Sequence, residues 1–257
     1  MHLKTVELKA HRGRQDEYPH HLPFLQNLSK LELQKPVTII VGENGTGKST
    51  LLEALAVQVG SILIGGEYAE EELSDALANR LKLTWTIRTR KGLFFKANAF
   101  NHFIKKIRSI KLETEEIIKG IVAEKGRNTL ELMPYARTLA DLERLYGKGL
   151  EYRSHGESFL DLFKSRLQAN GLYILDEPEA PLSPLKQLTL ISMIKEMVQE
   201  NCQFIIATHS PILMSIPGAE ILSIEGDQMK SLPYDDLEHV NLTRDFLNQP
   251  ESFLRHL

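Results

Sequence analysis

The chain has one cysteine in 257 residues, so no disulfide can form within it, and its redox chemistry suits a reducing compartment. That cysteine, Cys202, precedes the apolar Phe204, Ile205 and Ile206 and reads as a buried, inert thiol. Long apolar runs are missing too. The longest, Val37–Gly42 and the glycine-interrupted Ala54–Gly65, fall short of the ~20 residues that span a bilayer. The opening Met1–Glu7 alternates like a strand and has no apolar signal core, so a cytoplasmic protein is expected. It would not be a transporter by itself, which leaves open the motor subunit of one. Lys+Arg number 31 against 34 Asp+Glu, a net charge of −3. This excludes a whole-chain basic field for gripping nucleic acid and leaves room only for a local patch. Repeats, low-complexity tracts and sustained heptads are absent, which argues against a coiled-coil arm.

What is present is an ordinary globular composition, 42% hydrophobic and 25% charged, long enough for one large core. Leu3–Leu8, Leu28–Leu33 and Leu81–Arg88 read as strands. Val37–Val41, Leu172–Leu175 and Gln203–Ala207 are continuous apolar runs, as in strands buried on both faces of a parallel sheet. Glu220–Ile224 reads as a short strand. Apolar residues at helical spacing mark helices at Leu51–Ile62, Ala97–Ala123, around Leu139–Leu145, Gly156–Leu167, Leu185–Glu200 and Leu242–Asn248. The expected fold class is α/β, with a mainly parallel central sheet and an N-terminal antiparallel β portion. Residues 1–65 and 170–257 form the core of a single domain, and 66–169 a mostly helical inserted lobe.

Three motifs carry chemistry. Gly42-Glu43-Asn44-Gly45-Thr46-Gly47-Lys48-Ser49-Thr50 lies between a buried strand and a helix. Small residues let backbone N–H groups curl round a phosphate, and the helix N-terminus adds a positive dipole end. Lys48 reaches the β- and γ-phosphates and the Ser49 hydroxyl ligates Mg2+. The acidic pair Asp176-Glu177 emerges where a strand ends, the edge at which open α/β sheets bind ligands. Asp176 suits the Mg2+ shell and Glu177 the polarisation of an attacking water. The third is Thr208-His209-Ser210, again at a strand end, with His209 placed to sense a γ-phosphate.

In this order the motifs resemble the ABC-ATPase superfamily, and the resemblance covers most of the chain. It implies ATP and Mg2+ as cofactors and a signature loop upstream of the acidic strand. Ser154-His155-Gly156-Glu157-Ser158 stands 22 residues before Asp176. Ser154 and Gly156 match the family's Ser-Gly-Gly-Gln pattern, while His155 and Glu157 depart from it. In the family this loop caps the γ-phosphate held by the opposite subunit. One copy would supply Lys48, Ser49, Asp176, Glu177 and His209, and the other Ser154 and Gly156, making a homodimer on ATP binding. Pro178-Glu179-Ala180-Pro181-Leu182-Ser183 resembles the loop that touches the partner subunit. Asn98 is the candidate for the carboxamide that approaches the metal, and Tyr18 for adenine stacking, with Arg12 or Arg14 on the phosphates. The chain looks closest to small stand-alone members related to recombination and chromosome-maintenance ATPase heads.

Arg88, Arg90, Lys91, Lys96, Lys105, Lys106, Arg108 and Lys111 make the lobe locally basic, either a nucleic-acid face or a solvated helix face relieved by Glu113, Glu115 and Glu116. The stripe Phe100–Ile110 is either lobe core or a docking surface. The expected function is an ATP-hydrolysing clamp that works on nucleic acid or a partner protein, in repair or in defence. The alternative is the ATP-binding subunit of a membrane transporter.

Overall fold

A computed structural model describes residues 1–9, 22–64, 71–146 and 155–255. In chain order the elements are β1 (Leu3–Leu8), α1 (Pro23–Asn27), β2 (Lys30–Glu32), β3 (Val37–Gly42), α2 (Lys48–Val59), β4 (Ile62–Ile64), α3 (Glu71–Ala78), β5 (Leu81–Trp85), β6 (Gly92–Lys96) and α4 (Ala97–Lys125). There follow α5 (Met133–Tyr146), α6 (His155–Arg166), β7 (Leu172–Asp176), α7 (Pro184–Gln199), β8 (Gln203–Ala207), α8 (Pro211–Met214), β9 (Glu220–Glu225), β10 (Gln228–Ser231), α9 (Glu238–Asn248) and α10 (Pro250–Leu254).

The central sheet runs β10-β9-β3-β8-β7-β6-β4, parallel throughout except for the β10–β9 hairpin. A smaller antiparallel sheet, β2-β1-β5, lies beside it. This is the expected α/β class with its antiparallel N-terminal portion. Every residue of β3, β7 and β8 is buried. Because strand side chains alternate, each strand feeds two cores. Ile39, Val41, Tyr173, Leu175, Phe204 and Ile206 join one cluster with Phe159 of α6 and Leu190 of α7. Ile40, Leu172, Ile174, Ile205 and Ala207 join the other, with Leu51, Leu52 and Leu55 of α2 and Leu3 and Val6 of β1. Gln203 ties the two sheets together. Its Oε1 accepts from the backbone N–H of His2 and Leu3 at 2.9 and 2.8 Å, and its Nε2 donates to the Leu3 carbonyl.

Two local readings need correction. The helix expected to run through Ile62 stops at Val59. Gly60 takes up the left-handed conformation (φ 74°) and its N–H turns back to the carbonyls of α2, so Ile62 enters β4. The stretch before Ala97, placed in the expected mostly helical lobe, contains strand β6, which pairs with β7. β5 and β6 therefore join the two sheets, although both lie within 66–169. The helices of that stretch are α3, α4, α5 and α6, with α4 continuous over Ala97–Lys125. Phe100 is buried against Phe95 and Phe159, and Phe103 and Ile104 pack on the same cluster, so this end of the apolar stripe is core.

Strand β6 exists because of Gly92. Its φ is +126°, and a Cβ there would sit 1.7 Å from the Leu172 carbonyl oxygen of β7. Gly92→Ala is expected to lower the melting temperature by about 5 °C or more. An unchanged thermal midpoint would contradict this account of the β6–β7 pair.

Candidate active site

The parallel strands deliver their carboxyl ends to one edge, and the loops there gather the chemical groups. Leaving β3, the chain passes through Gly42, Gly45 and Gly47, all at positive φ, before α2 begins at Lys48. Gly47 has no alternative: a Cβ would lie 2.7 Å from the ring of Phe24 and 2.8 Å from Leu22. Lys48 lies across the loop's mouth, its Nζ donating to the carbonyls of Gly42 at 2.7 Å and Glu43 at 2.8 Å. Burial pushes its pKa down, and the nearby carboxylates of Glu177, Asp176 and Glu179 oppose that shift. An ammonium held over a ring of backbone groups is a phosphate cradle.

At the second residue of α2, the Ser49 hydroxyl donates to Asp176 Oδ1 at 3.1 Å. Asp176 is the last residue of β7 and is 3% exposed. Burial pushes its carboxyl up to about 7, against the Ser49 hydrogen bond, while the Glu177 charge adds to the rise. A buried acid with one hydroxyl partner and a second carboxylate beside it is an excess of negative charge that a divalent cation relieves. Among the described residues no group of three His, Cys, Asp or Glu forms a metal cage. Ser49 and Asp176 offer a hydroxyl and a carboxylate oxygen side by side, a donor set that fits Mg2+, which takes oxygen ligands and few of them from protein.

Glu177 follows at φ +51°, its N–H bonded to the Ala207 carbonyl of β8 at 2.9 Å. A non-glycine residue in this region stores strain, and such residues collect at active sites. His209 leaves the end of β8, and its Nε2 is 4.0 Å from Glu177 Oε1. Desolvation first, then the Lys48 charge, lowers its pKa and favours the neutral ring. Lys48, Ser49, Asp176, Glu177 and His209, five residues from three separate loops, thus meet at one edge.

Other expected site residues fall elsewhere. Tyr18, Arg12, Arg14 and Ser154 lie outside the described residues. Asn98 is in the first turn of α4. The residue in register with Asp176 is Lys96, the end of β6. Lys96 therefore does not belong to a basic lobe face: its ammonium pairs with Glu53 of α2, one turn beyond Ser49, under the acidic pair. Sequence reasoning missed this pair because β6 carries no β-branched residue to mark it. Gly156, the second residue of α6, packs on its own chain's acidic loop, where a Cβ would be 2.6 Å from the Pro181 carbonyl oxygen. Glu157 reaches Lys186 of α7 at 3.5 Å. Cys202 is buried, and burial raises its thiol pKa, as an inert cysteine requires.

This geometry defines a P-loop nucleotide cassette, and comparisons with known proteins agree. Residues 21–115 match a family model described as an AAA domain, and residues 150–215 match a second AAA-domain model, described under the AbiEii toxin of Type IV TA systems. The cobalt import ATP-binding protein CbiO of Salmonella paratyphi A is 25% identical over 238 residues, 88% of this chain and 83% of that protein. The L-cystine transport system ATP-binding protein TcyN of Escherichia coli K12 is 27% identical over 182 residues, 67% of this chain and 69% of that protein. The crystal structure of a nucleotide-free ATP-binding cassette from an ABC transporter superposes with a TM-score of 0.52 at 15% identity, over 95% of this chain and 96% of that one, which shows the shared fold. The chain is a member of the ABC-type ATPase superfamily and an ATPase.

Burying Asp176 has a thermodynamic signature. The folded pKa lies above the unfolded one, so the charged form is penalised on folding. The nucleotide-free protein loses stability as pH rises from about 4 to about 7 and keeps that penalty above. Asp176→Asn is expected to raise the melting temperature in chelator at pH 8 by at least about 2 °C, the gain shrinking toward pH 5. Thermal scans at both pH values check this, and a destabilised variant at pH 8 would contradict it.

Proposed function

We propose that the chain works as an ATP-driven clamp, two copies closing on nucleotide held between them. The observation that carries this reading is the gathering of Lys48, Ser49, Asp176, Glu177 and His209 at one sheet edge while Gly156 packs against Pro181 in the loop after them. The start of α6 and the 178–183 loop form one ridge, suited to meet the phosphates of a second copy. Each site is completed by Ser154 and Gly156 of the opposing copy.

In this reading the loop Gly42–Thr50 cradles the phosphates, and Lys48 moves from its two carbonyls onto the β- and γ-phosphates. Ser49 and Asp176 would hold Mg2+, with Asn98 the further candidate, and the ion would supply positive charge for the phosphates. Glu177 orients and polarises the attacking water. Neutral His209 donates to the γ-phosphate and registers its presence. Tyr18 supports the adenine. Loss of the γ-phosphate removes the anion that both copies grip, and the pair opens.

The work is done on nucleic acid or on a partner protein. Exposed Arg88, Arg90 and Lys91, with Lys105, Lys106 and Arg108 on α4, provide a basic surface, and no helix among the described residues is long and apolar enough to cross a membrane. A second reading, the ATP-binding subunit of a transporter, is favoured by the import proteins CbiO and TcyN among the relatives. A gel shift with duplex and single-stranded DNA, with and without Mg-ATP, separates the two. An ATP-dependent shift that weakens steeply with salt supports the first, and none at low salt favours the second.

Glu177→Gln is expected to bind Mg-ATP, to turn over about 100-fold or more slowly, and to accumulate as a dimer in light scattering. Unchanged turnover would overturn the role given to Glu177.

A further inference from the structure

Glu179 was not among the expected catalytic groups, yet it is the acidic residue in closest contact with the γ-phosphate sensor. It lies two residues beyond Glu177, in the loop resembling the one that meets a partner subunit. Its side chain turns inward and its Oε1 accepts the backbone N–H of His209 at 2.7 Å. Burial raises its pKa, and the hydrogen bond from the His209 N–H opposes that rise. A second link runs parallel to the first. Ser210 Oγ donates to Gln187 Oε1 at 2.5 Å, and Gln187 Nε2 donates to the Leu182 carbonyl at 3.3 Å, at the far end of the same loop. The segment 208–210 is thus tied to the loop 179–182 directly at His209 and through Gln187 at Ser210.

Burying a carboxylate to hold one amide is costly, since the neutral Gln187 holds the other end of the segment. The cost is visible here: Glu179 Oε2 and His209 Nε2 are both buried without a hydrogen-bond partner. Unpaired polar atoms of this kind call for an explanation beyond folding. The two residues also line one cavity of about 740 Å3, walled by Ser210, Pro211, Tyr234 and Arg244.

We propose that Glu179 is the positioning residue of the γ-phosphate sensor: by clamping the His209 backbone it fixes the ring beside Glu177 and couples that ring to the 178–183 loop. A shift of this loop moves the sensor with it, so arrival of a second copy is read at the γ-phosphate. The inference rests on the reading that His209 contacts the γ-phosphate.

The test is a double-mutant cycle on steady-state ATPase with Glu179→Ala, His209→Ala and the pair, with Mg-ADP affinity measured on each. If Glu179 acts through His209, each single variant loses about 10-fold or more in kcat, and the double variant is no slower than His209→Ala. Mg-ADP, which has no γ-phosphate, binds all of them as it binds wild type. Glu179→Gln, which keeps an acceptor for the His209 N–H, restores kcat to within about 3-fold of wild type. Multiplicative losses in the pair, a wild-type rate for Glu179→Ala, or Mg-ADP binding lost along with turnover would each overturn the proposal. Wild-type turnover in His209→Ala would instead overturn the sensor reading beneath it.

Discussion

The site depends on a carboxylate held where it does not want to be charged. Asp176 ends a fully buried strand, so its oxygens lie in a low-dielectric edge, with the Ser49 hydroxyl as their hydrogen-bond partner among the described residues. Burial raises its pKa, and the second carboxylate, Glu177, adds to the rise. The surroundings follow from this excess negative charge. Lys48 sits across the neighbouring loop, and the Lys96–Glu53 pair closes the floor without adding net charge. A cation with a triphosphate is the natural counterweight. The resting protein is therefore poised for its ligand at a cost in stability, the usual exchange at an active site.

The same sheet edge explains how loops distant in sequence act together. β3, β7 and β8 are neighbours in the sheet, so the loops after Gly42, Asp176 and Ala207 emerge side by side. The backbone carries the coupling. Glu177 bonds the end of β8 through its N–H, and Glu179 bonds the next loop through His209. Gly156 and Glu157 then pin the start of α6 to Pro181 and Lys186. The acidic loop, the His209 segment and the start of α6 therefore form one connected unit.

Much of this was legible in the sequence because it rests on strong local signals. β3, β7 and β8 are continuous apolar runs, and each ends at a polar group with a chemical reason to be there. Glycines at 42, 45 and 47 mark a loop that only glycine can form. The register of β6 was not legible. Leu93, Phe94 and Phe95 are apolar without being β-branched, and the strand is made by a close approach at Gly92 that only the neighbouring strand reveals. Lys96 was consequently read with the surface cations, although pairing with β7 puts it under the acidic pair. Glu179 was hidden for a related reason. Its role is to hold a backbone N–H thirty positions away, and backbone partners leave no trace in side-chain pattern.

The central claim is that a complete site needs two copies of the chain. Mixing two inactive variants tests it most directly: Lys48→Ala, which lacks a phosphate cradle, and Ser154→Arg, which lacks the opposing cap. Each is inactive alone. In a mixed dimer one intact cradle faces one intact cap, so an equimolar mixture is predicted to recover up to about a quarter of wild-type ATPase activity. No recovery at any mixing ratio, with both variants folded and Ser154→Arg still binding ATP, would contradict a site shared between two copies.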